Sequence, residues 1–289
     1  MSEYRSFKTG EILSDNERAK LSPADKKRYD LEQLLRGLMK LADDETASDG
    51  ERENATRLIA KLITRHQIDL ALIREKETGK ASGPVKIVRF KVEVSNRFNL
   101  GGVRACALHR AVILPLGGYS TYVHDSSSTR IATVITAYLP EDVVDFAKML
   151  LASLAMQVET SMKVASVQHQ RELNDDWRTT KNVVARLMGQ FRKGYLLSWG
   201  TVVGRRIAEG RKEARDEAQQ FTGKELAVLN TADLAKKAAE DWHKEQGTKV
   251  RAARSVTVSD TGRSAGRRDG MRAQLGINEV GGRRTAISA

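Results

Sequence analysis

Five histidines and one cysteine supply the side chains best suited to acid–base, nucleophilic or metal chemistry, and their neighbours decide what each can do. His169 and Glu172 stand three residues apart on a predicted helix, so they share a face. Two ligands do not make a zinc site, which would want H-E-x-x-H and a third ligand. Cys106 and His109 have the same spacing, which is unusual for a catalytic dyad, and a lone cysteine is more often buried than reactive. His124 and Asp125 fall in a predicted hairpin turn, where turn geometry alone favours aspartate. His66, beside Asp69, follows an apolar helical stripe, a position that suits an imidazolium at a helix C-terminus. The carboxylate pairs Asp43-Asp44, Glu141-Asp142 and Asp175-Asp176 sit at predicted helix ends, where capping accounts for them. Gly101-Gly102 and Gly117-Gly118 lack the strand-to-helix context of a phosphate cradle. No catalytic, cofactor-binding or metal-ligating residue is assigned, and no cofactor is expected. A hydrolase with a dispersed active site is the weakest of three functional readings.

The charge is more informative. The formal net charge is +12, and it is unevenly placed. Residues 1–80 carry sixteen basic and sixteen acidic side chains. Residues 81–220 have an excess of seven basic side chains and residues 221–289 an excess of five. A basic surface attracts polyanions through long-range field and counterion release, although the same composition also serves solubility. The residues expected to contact phosphates are Lys86, Arg89 and Lys91 on a strand; Arg192, Lys193, Arg205 and Arg206 on a long helix; and Arg263, Arg267, Arg268, Arg272, Arg283 and Arg284 in the tail. In that tail Gly262, Gly266 and Gly270 recur every four residues. Glycine allows close backbone approach to a polyanion and arginine gives bidentate phosphate contacts; the alternative is a solvated, disordered tail. Phe191, Tyr195 and Trp199 offer stacking surfaces beside these cations, but their three- and four-residue spacing among aliphatic neighbours reads more simply as a core face.

The elements that must position these groups follow from periodicity. Leu31, Leu34, Leu35, Leu38, Leu41 and Ala42 form one helical stripe, and Ala55, Leu58, Ile59, Leu62 and Ile63 a second. Between them Ser48 stands three residues before Glu51, the arrangement of a capping box. The pair predicts an antiparallel helical hairpin over residues 31–76, preceded by a polar arm over residues 1–30. Glu75 to Pro84 is a linker by composition. Val85 to Val94 alternates as a half-buried strand, with Val88, Phe90, Val92 and Val94 on one face. Gly101 to Leu114 suits a helix running into a short extended piece, with Pro115 at or after the helix end. Tyr119 to His124 and Arg130 to Leu139 read as a hairpin. A long helix follows Pro140 towards Val167. Asp175 or Asp176 is placed to cap the next, which reaches Ala218 and carries Gly189, Gly194, Gly200 and Gly204 for close packing or a bend. Glu225 to Leu229 suits a short strand, and Thr231 a cap for a helix over Ala232 to Gln246.

Several of these positions carry a resemblance. Leu34, Leu35, Leu38, Leu41, Ala42, Glu51, Ala55, Leu62 and the run Arg65 to Asp69 are similar to the N-terminal module called domain of unknown function 2786, widespread in actinobacteria and their phages. Phe191 to Tyr195, with Val203, Arg206 and Ile207, resembles a motif of its usual uncharacterised α+β companion domain, as does the arginine- and glycine-rich tail. The resemblance implies a fold outline over Leu31 to the C-terminus and a phage or mobile-element setting. It implies no activity, and no functional residue is carried over from it.

With 289 residues, 40% hydrophobic and only 5% aromatic, the chain suits an aliphatic, helix-rich core. There is no apolar run of membrane-spanning length, the N-terminus lacks a signal-peptide centre, and Cys106 has no disulfide partner in the chain. The expected fold class is α+β, mostly helical: an N-terminal helical hairpin, a small antiparallel sheet with long helices over residues 85–246, and an irregular basic C-terminal tail over residues 247–289. The leading functional expectation is a cytoplasmic, non-enzymatic accessory protein with nucleic acid as partner and no membrane association, in the host cytoplasm if phage-encoded. The second is a protein-interaction or self-assembling factor docking through helical faces.

Overall fold

A computed structural model describes residues 85–125, 132–175, 180–222 and 231–273, and residues 19, 26, 29, 30, 58, 61 and 62 before them. The expected arm and hairpin therefore lie outside the described residues, apart from those few positions. Leu62 packs against the main core and Lys61 pairs with Glu217, while Leu58 is exposed. The expected strand Glu225 to Leu229 and the turn after Asp125 also lie outside the described residues.

The chain is mostly helical around a three-stranded antiparallel sheet, as the α+β reading expects. Strand β1 (Ile87–Val94) pairs with β3 (Ala132–Pro140), which pairs with β2 (Tyr119–Asp125), in the order β1-β3-β2. Register puts Val88, Phe90, Val92 and Val94 opposite Leu139, Ala137, Ile135 and Thr133. One sheet face is thus apolar and turns to the core, and Arg89, Lys91 and Glu93 fall on the other.

The core face is covered by helices. Helix α1 (Gly101–Leu108) opens with the Gly101 amide donating to the Asn96 side chain at 2.9 Å. It widens into a π segment, His109–Ile113, where the Leu114 amide donates to the His109 carbonyl at 2.9 Å before Pro115 ends the element. Helix α2 (Val144–Asn174) follows a short 3-10 turn at Glu141–Val143, so Pro140 and its acidic neighbours do start a helix, which outruns the expected end at Val167. Its inward row includes Ala147, Leu150, Leu151, Leu154, Val158 and Met162. Asp175 proves to be the C-cap of α2, its amide bonded to the Arg171 carbonyl, and not the cap of the following helix.

Helix α3 (Lys181–Thr222) is the spine of the molecule. Phe191, Tyr195 and Trp199 are almost wholly buried, so the aromatic stripe is core. Gly200 and Gly204 face the backbone of Ala107 and Arg110, where a Cβ would have no room, and Gly194 faces Ser259; Gly189 meets nothing nearby. Helix α4 (Thr231–Glu245) covers part of the sheet's other face, where Ala235 and Ala239 pack on Tyr138 with Ile87, Tyr119 and Trp242.

The tail departs from expectation. Residues 248–259 have no regular structure, but Asp260–Met271 is a helix, α5. Ser259 caps it by accepting from the Gly262 amide at 3.0 Å. Gly262, Gly266 and Gly270 are buried against the α3 backbone at Phe191, Tyr195 and Trp199 in turn. The glycine row is therefore a docking face for another helix, not a backbone surface for a polyanion. Three glycines and few apolar side chains make a poor isolated helix, and tertiary packing is what holds this one.

Candidate nucleic-acid interface

A cleft of about 2440 Å³ opens between the edge strand β2, the segment from α1 through the π turn, the α3 face from Lys193 to Glu209, and α5. The extended segment Thr248 to Val258 crosses it. It is larger than the roughly 300–1,000 Å³ of small-molecule pockets, which suits an extended polymer. The fold accounts for each wall. Among the described strands β2 pairs only with β3, so every residue from Tyr119 to His124 reaches the cleft. Helix α3 brings Lys193, Leu197, Ser198, Thr201 and Arg205 round at helical spacing. Docking of Gly262 and Gly266 on α3 carries the next residues, Arg263 and Arg267, to the cleft.

The lining is strongly cationic. Lys91, Arg110, Lys193, Arg205, Lys249, Arg251, Arg254, Arg263 and Arg267 are exposed or half-exposed along it, against one acid among the described residues, Glu209. Arg263 also lies 3.4 Å from Asp260. Five of the nine were expected from the sequence: Lys91, Lys193, Arg205, Arg263 and Arg267. The structure brings them together from a strand and two helices. Arg110, Lys249, Arg251 and Arg254 were missed. Arg110 read as part of a helical face, and the other three sit in a stretch with no periodicity to orient them.

Of the other expected residues, Arg206 also lines the cleft but from a buried position, and the rest lie elsewhere. Arg206 is 7% exposed and donates to the Gly270 and Ala273 carbonyls at 3.0 and 2.8 Å. It satisfies the C-terminal end of α5 and is not a surface cation, a correction that follows from the docking of that helix. Arg192 lies over the Phe98 ring at 4.0 Å and reaches Ser166, away from the cleft, and burial lowers its pKa. Arg89 covers Trp242 at 4.5 Å, and Lys86 pairs with Glu141 at 2.8 Å. Arg268 and Arg272 are exposed but do not line the cleft, and Arg268 bonds Asp269 at 3.1 Å. Arg283 and Arg284 lie outside the described residues.

Titratable and aromatic groups occupy the cleft floor. His109 Nδ1 is 3.0 Å from Ser120 Oγ, and burial, with Arg110 beside it, holds its pKa below the ordinary value. Burial pushes the Cys106 thiol pKa up, which disfavours the thiolate a nucleophile would need. His243 bridges Thr121 at 3.2 Å and Thr248 at 2.7 Å. The Tyr122 ring lies against Gly102, where an added Cβ would stand 3.1–3.3 Å from it, and meets His124 edge-on at 5.8 Å. His169 lies outside the cleft, 3.2 Å from Glu172 and stacked on Phe191 at 4.4 Å. Among the described residues there is no group of three or more potential metal ligands, and no helix is long and apolar enough to cross a membrane. His66 falls outside those residues. Comparison with protein-family models, curated proteins and solved structures finds no match.

Proposed function

We propose that this chain is a non-enzymatic nucleic-acid-binding protein that holds a phosphate backbone in the cleft beneath residues 248–258. One observation carries the reading: among the described residues, nine accessible lysines and arginines from five separate parts of the chain converge on one cleft, with one acid among them. Such a field attracts a polyanion, and phosphate contacts of this kind position a protein without reading sequence. Cys106 is half-buried and its thiol pKa is raised, which disfavours the thiolate a nucleophile would need, and this is why the hydrolase reading stays behind. A cytoplasmic site of action and the phage or mobile-element setting implied by the resemblance belong to the same proposal. The test is equilibrium binding of the full chain to labelled oligonucleotides at several salt concentrations. Affinity should fall steeply as salt rises, because each neutralised phosphate releases counterions. No binding at low salt would end this reading.

A second reading has its own support. Leu114, Val123, Val250, Val256 and Met271 are exposed apolar side chains on the same cleft, beside the edge of β2 that no described strand pairs with. An acidic peptide with alternating apolar residues would fit there by adding a strand to that edge. It predicts binding that survives nuclease treatment and is lost in Val123→Lys.

A further inference from the structure

We infer that the cleft takes a single strand of nucleic acid, DNA or RNA, threaded beneath the strap of residues 248–258 with an unpaired base on the Tyr122 ring. The inference rests on the proposed nucleic-acid reading and narrows its ligand. Three observations carry it.

The first is the strap. At one end the Thr248 amide donates to the His243 carbonyl at 2.9 Å, and His243 reaches Thr121 on β2. At the other the Ser259 amide donates to the Gln190 carbonyl at 3.2 Å, and α5 docks on α3 immediately after. Between these anchors all residues from Lys249 to Thr257 are exposed, although they cross a concave surface. The strap is held at both ends, and its residues are exposed between them.

The second is its charge. Lys249, Arg251 and Arg254 stand on the strap and line a cleft whose helical walls also carry Arg205 and Arg263. A backbone in the cleft would meet cations from the strap and from the helices. A duplex would have to displace the strap from two anchors to reach the same groups.

The third is the floor. Gly102 makes room for the Tyr122 ring, which is half-buried, packs in part on the core and also lines the cleft. A ring face is of use to a base only when that base is unstacked, which is the mode of single-strand recognition. Stacking tolerates any base, so the site is expected to be indifferent to sequence.

The experiment is fluorescence polarisation of the full chain at low salt. The probes are labelled single-stranded DNA, single-stranded RNA of the same sequence, and the corresponding DNA duplex. The inference expects at least one single strand to bind roughly tenfold or more tightly than the duplex, and the tighter of the two names the ligand. Tyr122→Ala should weaken single-strand binding by roughly tenfold, and Tyr122→Phe should retain it. Replacing the exposed strap residues Ala252 and Ala253 together by Asp should weaken it without touching the core, which keeps the test open if Tyr122→Ala does not fold. Equal or tighter duplex binding would overturn the inference and leave the proposed function standing. So would unchanged binding in the folded Tyr122→Ala and strap variants. No binding to any of the three probes would remove both.

Discussion

Gly266 lies on the Tyr195 backbone so closely that an added Cβ would overlap the Tyr195 carbonyl oxygen. The same relation joins Gly262 to Phe191, and an added Cβ at Gly270 would stand 3.1 Å from the Trp199 carbonyl oxygen, so the two helices run parallel at backbone contact. Tyr195 adds a hydrogen bond from its hydroxyl to Asp269 at 2.7 Å. Burial pushes the pKa of that phenol far up, so it remains a donor across the working pH range. Gly266→Ala should cost about 1–3 kcal/mol, since rigid backbone must move. Gly266→Leu should undock α5 altogether. Thermal melting and limited proteolysis over residues 248–273 will show it, and a Leu variant as resistant as the parent would mean that the docked helix does not form.

The two halves of this contact were both visible in the sequence, yet not as a contact. Glycines every four residues and aromatics every four residues are ridges of equal pitch, but periodicity in one helix does not name its partner. The glycine row read as an approach to a polyanion because the arginines between it dominated the composition. The strand alternation from Val88 to Val94 and the core stripe of α3 were legible because each is decided by its own side chains. The cleft was half legible for the same reason: Lys193 and Arg205 sit on a face that helical phase exposes, whereas the strap cations have no phase.

Arg205 and Arg206 are sequence neighbours with opposite fates. Arg206 is buried and supplies two donors to the end of α5; Arg205 is exposed on the cleft. Arg206→Met should lower stability by about 1–3 kcal/mol, because the Ala273 carbonyl loses its guanidinium donor and the Gly270 carbonyl keeps only a backbone one. Arg205→Ala should leave the melting temperature almost unchanged. It should flatten the dependence of log Kd on log salt by about 0.7–0.9. If Arg206→Met melts like the parent, the hydrogen bonds to α5 are not holding that helix.

His109 gives a pH dependence whose sign is fixed. Burial holds its folded pKa below the unfolded value of about 6.5. The unfolded chain therefore binds more protons as pH falls through about 6.5, and stability drops below that point until the folded pKa is reached. His109→Asn, which keeps a polar partner for Ser120, should lose less melting temperature between pH 7 and pH 5 than the parent does. Parallel Tm curves for the two proteins over that range would show that His109 does not titrate differently on folding.

The cleft reading makes a final prediction that separates location from charge. Lys91, Arg205, Arg263 and Arg267 line the cleft, while Lys86, Lys163, Arg268 and Arg272 do not. All eight are exposed, so neither quadruple alanine variant should lose much core packing. Both variants drop the same four charges, and long-range attraction alone would weaken binding equally in each. If phosphates occupy the cleft, the first variant loses up to four counterion-releasing contacts. Its log–log salt slope should then flatten by roughly three for a single strand, whereas the second should keep nearly the parental slope. Slopes measured by polarisation from about 50 to 200 mM salt are sufficient to tell them apart. Equal flattening in the two variants would mean that the protein attracts nucleic acid by its overall field, with no dedicated site in the cleft.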